Sequence, residues 1–344
     1  MKKISILLTA SVFMFLSFSV SAEVVASGTN CGSNCSWSLD SDGNVNVTGT
    51  GTITSSPWSS STYKDQVTSI TTTGDINGNV SCIDCSGLTE VTLSKNVSSL
   101  SWHAFMGTGL TNIVIPEDSN LKTIGDAAFN GTNITSINIP NTVTTIGGGA
   151  FDGTKLTSLT VPDSVTSGVS CIDCSDLTEV TLGKNVSSLG WHAFMGTGLT
   201  SIVIPEDSKL TTIGESAFYG TKIESLVIPD SVTTIGGAAF YGVSLSGITC
   251  NEENLARYLA TGGIFKDGAT ISCSRGNCEN ALKGTKWEGK VSVTYPTEVK
   301  PLANGGVAVF KNGEFVGYKG KRIYTVEEAN TVSKDKNKLA IRYK

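Results

Sequence analysis

The phrase L-T-x-I-x-I-P-x-x-V-x-x-I-G-x-x-A-F-x-G recurs along this chain, most plainly from Leu110, Ile134, Leu199 and Ile223, with variants from Val67, Leu88, Leu156 and Leu177. Its step of 21 to 24 residues is the length of one solenoid coil, too short to bury a core alone. Within a coil, Leu or Ile residues two apart, such as Ile113 and Ile115 or Ile202 and Ile204, alternate with polar residues as on a half-buried strand. Pro116, Pro140, Pro162, Pro205 and Pro229 end that strand, since proline has no N–H for a ladder. A second apolar group, for example Val143, Ile146 and Phe151, returns from the opposite wall. Gly125, Gly147, Gly214 and Gly236 fall where tight turns are expected. Eight coils from Val67 to Ser244 would then stack into one continuous core.

A longer period lies over the short one. Residues 80–155 and 169–244 align without a gap at an offset of 89, and 19 of the 76 positions differ. Almost all the changes fall where side chains are expected to face outward, as in Asn130/Tyr219, Asp152/Tyr241 and Asn138/Val227; Ile137/Leu226 is the one expected in the core. Two copies of a four-coil block have kept their framework while their surfaces drifted.

The flanks complete the architecture. Lys2 and Lys3, the apolar run Ile4 to Val20 and the small residues Ser21 and Ala22 read as a signal peptide over 1–22, with no cysteine after the cleavage point to carry a lipid. The mature chain is expected to be secreted, extracellular or at the cell surface, and no later stretch has the length to span a bilayer. Residues 23–65 read as an N-terminal β cap, with strands at Ser36–Leu39 and Val45–Thr48 around Asp42-Gly43. Residues 66–244 are the repeats. Residues 245–278 read as a C-terminal cap: strand at Ile248–Cys250, helix at Glu252–Ala260, strand at Ala269–Cys273. Residues 279–344 read as a small appended α+β tail, irregular until Gly306, with a hairpin around Asn312-Gly313, a helix at Val326–Val332 and a final strand at Leu339–Tyr343. The expected fold is thus mainly β, a curved solenoid of about eight coils with a cap at each end. A net charge of −5, with no basic patch before the last 35 residues, argues against a nucleic-acid partner.

The repeat resembles that of the BspA-like bacterial leucine-rich repeat proteins. The run Cys35-Ser36-Trp37-Ser38-Leu39-Asp40, followed by Gly43 and Val47-Thr48-Gly49-Thr50-Gly51, resembles the segment that precedes the repeats there. The likeness covers roughly residues 31–250. It implies a curved, strand-rich solenoid on secreted or surface proteins, several of which act as adhesins, and it brings no catalytic residues. The Asn or Cys that follows the strand in other leucine-rich repeats is replaced here by proline.

Nine cysteines in an exported chain point to disulfides. Local spacing suggests Cys31/Cys35, Cys82/Cys85, Cys171/Cys174 and Cys273/Cys278, leaving Cys250 over. The two Cys-Ile-Asp-Cys runs invite a redox or metal-binding reading. They lie four coils apart, roughly 19 Å at strand spacing, and registering the coils puts Cys82 and Cys171 in the slot that Phe105 and Phe129 fill elsewhere. Buried cysteine or a local disulfide is therefore the preferred reading, and no metal or cofactor is expected. Cys82 with His103 could be imagined as nucleophile and base, but Cys82 faces the core and no carboxylate is placed to orient the histidine. The chain does not read as an enzyme.

Trp102-His103 and Trp191-His192, with Met106 and Met195 close by, form two candidate partner-contact patches; the alternative is Trp folded down as packing. The outward ladder of the strand face, Thr92, Val114, Asn138, Thr160, Thr181, Val203 and Val227, has neither an aromatic row nor a charge row. The reading is a non-catalytic surface protein that binds or adheres to an extracellular or host protein. Alternatives are a structural or self-associating spacer and, behind it, a thiol redox or metal-binding protein using the Cys-x-x-Cys pairs.

Overall fold

A computed structural model describes residues 22–205, 207–274 and 277–295, and the backbone of 297–301, 307–311 and 314–319. Most of the expected signal peptide, and the helix and strand expected within 326–343, lie outside the described residues. No helix among the described residues is long and apolar enough to cross a membrane.

The chain winds as a mainly β solenoid of about 11 turns. The front wall is a parallel ladder in which residues two apart point inward. Asn44–Gly49 pairs with Ser69–Gly74, then Glu90–Thr92 and Asn112–Val114. The ladder resumes with Ser158–Thr160, Glu179–Thr181 and Ser201–Val203. It continues through Ser225–Val227, Ser244–Cys250, Ile264–Cys273 and Ser292–Thr294. A second wall is built from two-residue parallel rungs: Ser99–Leu100, Thr123–Ile124 and Thr145–Ile146 in the first block, Ser188–Leu189, Thr212–Ile213 and Thr234–Ile235 in the second.

The count of eight coils is corrected by the flanks. The second strand of the N-terminal hairpin (Asn44–Gly49, antiparallel to Cys35–Asp40) is itself the first rung of the parallel ladder. At the other end the strand–helix–strand segment, with its helix at Glu252–Ala260 as expected, continues the same ladder. These coils pair through backbone but lack the repeated phrase, so a motif count passes over them. The stretch read as irregular after Cys278 contains a short helix, Cys278–Leu282, and strands at Ser292–Thr294 and Thr297–Pro301. Thr297–Pro301, Val307–Lys311 and Glu314–Lys319 form an antiparallel sheet among the described residues.

A column of stacked side chains runs through the core. Phe105, Phe129 and Phe151 follow one another at ring-centroid distances of 5.8 and 5.8 Å, and Phe194, Phe218 and Phe240 at 5.7 and 5.4 Å. The helix supplies Tyr258 to the same column, 5.2 Å from Phe240, and Phe265 and Trp287 extend it. All six phenylalanines of the two blocks are fully buried, each worth about 1.5–3 kcal/mol of burial. The first coil is plugged by Trp37, Trp58 and Tyr63, which meet edge to face.

The buried hydroxyl in A-F-x-G-T is satisfied locally. Thr108, Thr132, Thr154, Thr197 and Thr221 each donate to the carbonyl of the phenylalanine three residues before. The Thr154/Val243 difference between the blocks therefore also lies in the core, which corrects the expectation that Ile137/Leu226 stands alone there. Gly125 and Gly147 play a different part from the one expected. A Cβ on Gly147 would lie 2.2 Å from the backbone nitrogen of Asp126, so these glycines permit close approach of successive coils. Left-handed backbone falls instead on Gly107, Gly131 and Gly153 and their equivalents.

The front ladder parts at the same place in both blocks. Asn112–Val114 ends one sheet, and Ser201–Val203 is not paired with Ser225–Val227. Both gaps fall at the 24-residue step.

Candidate functional site

The turn that opens A-F-x-G carries the four aromatic residues singled out in the sequence. His103 and His192 have φ of 57° and 58°. The neighbouring coils put Ala127, Gly149, Ser216 and Ala238 in that left-handed slot, where an L residue with a side chain costs roughly 1–2 kcal/mol. The slot is held by the ladder: His103 N–H donates to the Asp126 carbonyl at 2.9 Å and His192 N–H to that of Glu215 at 2.9 Å. In this conformation each imidazole lies against the indole before it, centroids 3.8 Å apart for Trp102/His103 and 4.1 Å for Trp191/His192, both inclined by 26°. The indoles are not folded down as packing: Trp102 is 65% and Trp191 66% exposed. One face rests on histidine and the other is open to solvent.

Met106 and Met195 are half-buried and occupy the x position of A-F-x-G. Backbone pairing puts Met195, Tyr219 and Tyr241 at the same height on successive coils: Phe194 N–H bonds the Ala217 carbonyl and Phe218 N–H that of Ala239. Tyr219 and Tyr241 stack with centroids 5.3 Å apart and 13° between planes, and are 41% and 56% exposed. The first block has Asn130 and Asp152 at these positions. In the sequence the two substitutions stand 22 residues apart, and the register of adjacent coils brings them together as a stack.

Beside Trp102 lies an open hollow of about 400 Å³. Its wall is a row of short polar side chains in register across the second wall: Asn79, Ser99, Thr123 and Thr145. Asp126 stands at its edge, with Oδ1 accepting from the Gly148 N–H at 2.8 Å. On the front face, a second hollow of about 490 Å³ near the parted ladder is lined by Glu117, Asn138, Pro140 and Thr160 among others. The outward ladder there exposes Val114, Val203 and Val227.

The cysteines occupy core positions. Bonds join Cys31–Cys35, Cys82–Cys85, Cys171–Cys174 and Cys273–Cys278, with Cα separations of 5.7, 5.5, 5.5 and 5.9 Å. Cys82 N–H donates to the Ala104 carbonyl as Phe105 N–H does to Ala128, and Cys171 N–H to Ala193. Both cysteines therefore fill the phenylalanine slot, as expected. Bonded and fully buried, the sulfurs of the two Cys-x-x-Cys pairs offer no thiolate for attack or ligation. Cys250 is free and buried; burial, and then the charge of Asp230, push its thiol up to about 12. Among the described residues no three His, Cys, Asp or Glu side chains come together to hold a metal. Cys82 and His103 are not joined by a hydrogen bond among the described residues, and Cys82 is committed to Cys85.

The sequence profile of the BspA type leucine rich repeat region matches in six copies over residues 18–120, 58–172, 103–210 and 211–258. No curated protein matches the chain. Among solved structures, a leucine-rich repeat protein from Eubacterium ventriosum is 19% identical, with 81% of this chain and 99% of that one covered and a TM-score of 0.46. One from Bacteroides ovatus is 18% identical, with 76% and 87% covered and a TM-score of 0.49. A leucine rich cell surface protein from Faecalibacterium prausnitzii is 17% identical, with 70% and 95% covered and a TM-score of 0.24.

Proposed function

Since the chain belongs to the BspA type leucine-rich repeat family, we propose that it is a secreted or cell-surface bacterial scaffold that binds or adheres to an extracellular protein, without catalysis. The observation that carries this reading is the exposure of Trp102 and Trp191, each held open by a histidine in a left-handed slot that Ala, Ser or Gly fills elsewhere. Large aromatic side chains of this kind dominate the energy of protein contacts. The second patch is the broader, because Trp191, Met195, Tyr219 and Tyr241 lie on three successive coils.

The test is adhesion of the mature protein to immobilised extracellular-matrix proteins. Trp191→Ala is expected to weaken attachment about tenfold or more, and Tyr219→Asn with Tyr241→Asp, which gives the second block the first block's residues, by a comparable factor. Both changes are at exposed positions and should move stability by no more than about 0.5 kcal/mol. Unchanged attachment with intact folding would leave the spacer role in its place.

A further inference from the structure

The first block carries a feature the second has lost, and it goes beyond the protein-binding role. Trp102 presents one free indole face beside the hollow, and Asn79, Ser99, Thr123 and Thr145 run past it in register, one polar group per coil. The row advances by the strand spacing, about 4.8 Å, which is about the length of one equatorially linked pyranose unit. The hydroxyls of Thr123 and Thr145 make no hydrogen bond among the described residues, while Asn79 and Ser99 bond each other. No Lys, Arg or His lines the hollow, and its one ionisable group is the exposed carboxylate of Asp126. An apolar platform next to a row of small donors and acceptors, without a cation, suits a ring that has an apolar C–H face and a rim of hydroxyls.

We infer that this hollow binds a neutral, extended saccharide of gluco configuration, its chain running along the solenoid axis and one ring stacked on Trp102. An anionic sugar would meet Asp126 without a compensating charge. The second block keeps Trp191, Ser188, Thr212 and Thr234 but has Gly168, Gly190 and Glu215 where the first has Asn79, Ser101 and Asp126. It thereby lacks two of the polar side chains at that rim, those of Asn79 and Ser101, and has Tyr219 and Tyr241 on the coils that follow. The second block thus has a shorter polar row at that rim, and a tyrosine pair where the first has Asn130 and Asp152.

The test uses the mature full chain with cellotetraose and chitotetraose as probes, followed by calorimetric titration. Saturable binding of at least one probe at millimolar concentration is expected, insensitive to salt because the ligand is neutral. Trp102→Ala should weaken it about tenfold and Thr123→Val about threefold, while Trp191→Ala leaves it unchanged. Circular dichroism of each variant confirms folding. No binding of either probe, or binding that Trp102→Ala does not weaken, overturns the assignment. Adhesion to protein is read separately through Trp191 and the tyrosines, so either role can fail without the other.

Discussion

The two four-coil blocks differ at a quarter of their positions yet share all but a little of their interior, Thr154/Val243 and Ile137/Leu226 being the differences there. Phe105, Phe129 and Phe151 in one match Phe194, Phe218 and Phe240 in the other, with ring spacings that agree within a few tenths of an ångström. Each block begins with a Cys-x-x-Cys disulfide in the phenylalanine slot and continues with a Trp-His coil. Outside, they differ: a polar row and a hollow lie beside Trp102, and a stacked tyrosine pair, Tyr219 and Tyr241, lies on the two coils after that of Trp191. Interior positions are constrained by neighbours on both adjoining coils, so a change there disturbs three coils at once. Surface positions meet only solvent and the next coil's side chain. In a duplicated solenoid the exterior is therefore free to acquire two functions on one scaffold.

The largest expected effect tests whether the interiors are equivalent. Phe129→Ala and Phe218→Ala each remove the middle ring of a three-ring stack, and each should cost about 3–5 kcal/mol. Urea unfolding should give the two variants midpoints that agree closely. A much milder Phe218→Ala would mean that Tyr219 and Tyr241 reinforce the second block and that the interiors are not interchangeable. Next in size come the disulfides. Replacing Cys82 and Cys85, or Cys171 and Cys174, by alanine opens a loop of only a few residues, so each pair should contribute about 2 kcal/mol. Reductant on the parent protein, after opening by mild denaturant, breaks all four bonds and should cost more than the sum of these two pairs. A large asymmetry would show that one coil depends on its crosslink and the other on packing.

Much of this was legible in the sequence because the repeated phrase consists of core-facing residues. Cys82 in the phenylalanine slot, the helix at Glu252–Ala260 and the inward pairs such as Ile113 and Ile115 all follow from spacing. The strands expected at Val45–Thr48 and Ala269–Cys273 are present, but that they are rungs of the same ladder does not follow from spacing, because backbone hydrogen bonds make those rungs and side chains outside the phrase fill them. Gly147 has the sequence signature of a turn, since sequence does not distinguish a glycine needed for φ from one needed for close approach. The exposure of Trp102 was undecidable in sequence: an indole at a turn can fold over its coil or stand free, and the choice rests on the φ of His103. Asn79, Ser99, Thr123 and Thr145 carry no signal in the sequence taken singly, and only the register of the second wall makes them a row.

The smallest expected effect separates Asp152 from its counterpart Tyr241. Asp152 Oδ1 accepts from the Ile172 N–H at 2.8 Å and from Ser170 Oγ at 3.3 Å. Burial nevertheless outweighs those bonds and, with the charge of Asp173 nearby, holds the carboxyl above its ordinary range. A carboxyl whose pKa is higher folded than unfolded binds its proton more firmly in the native state. Between the two values the native chain carries more protons than the unfolded one, so stability falls as pH rises through that window and is level above it. Asp152→Asn keeps an acceptor oxygen without a charge, so the variant should be slightly more stable than the parent near neutral pH. The difference should shrink as pH falls through the raised folded value and below about 3.9, the ordinary unfolded value, where the parent's carboxyl becomes protonated in both states. Urea midpoints of parent and variant across that range measure it, with Tyr241→Phe as the second-block control that should show no such pH dependence. A difference constant with pH would mean that the proton on Asp152 is not linked to folding and that this position tolerates a charge in the first block as freely as it tolerates a ring in the second.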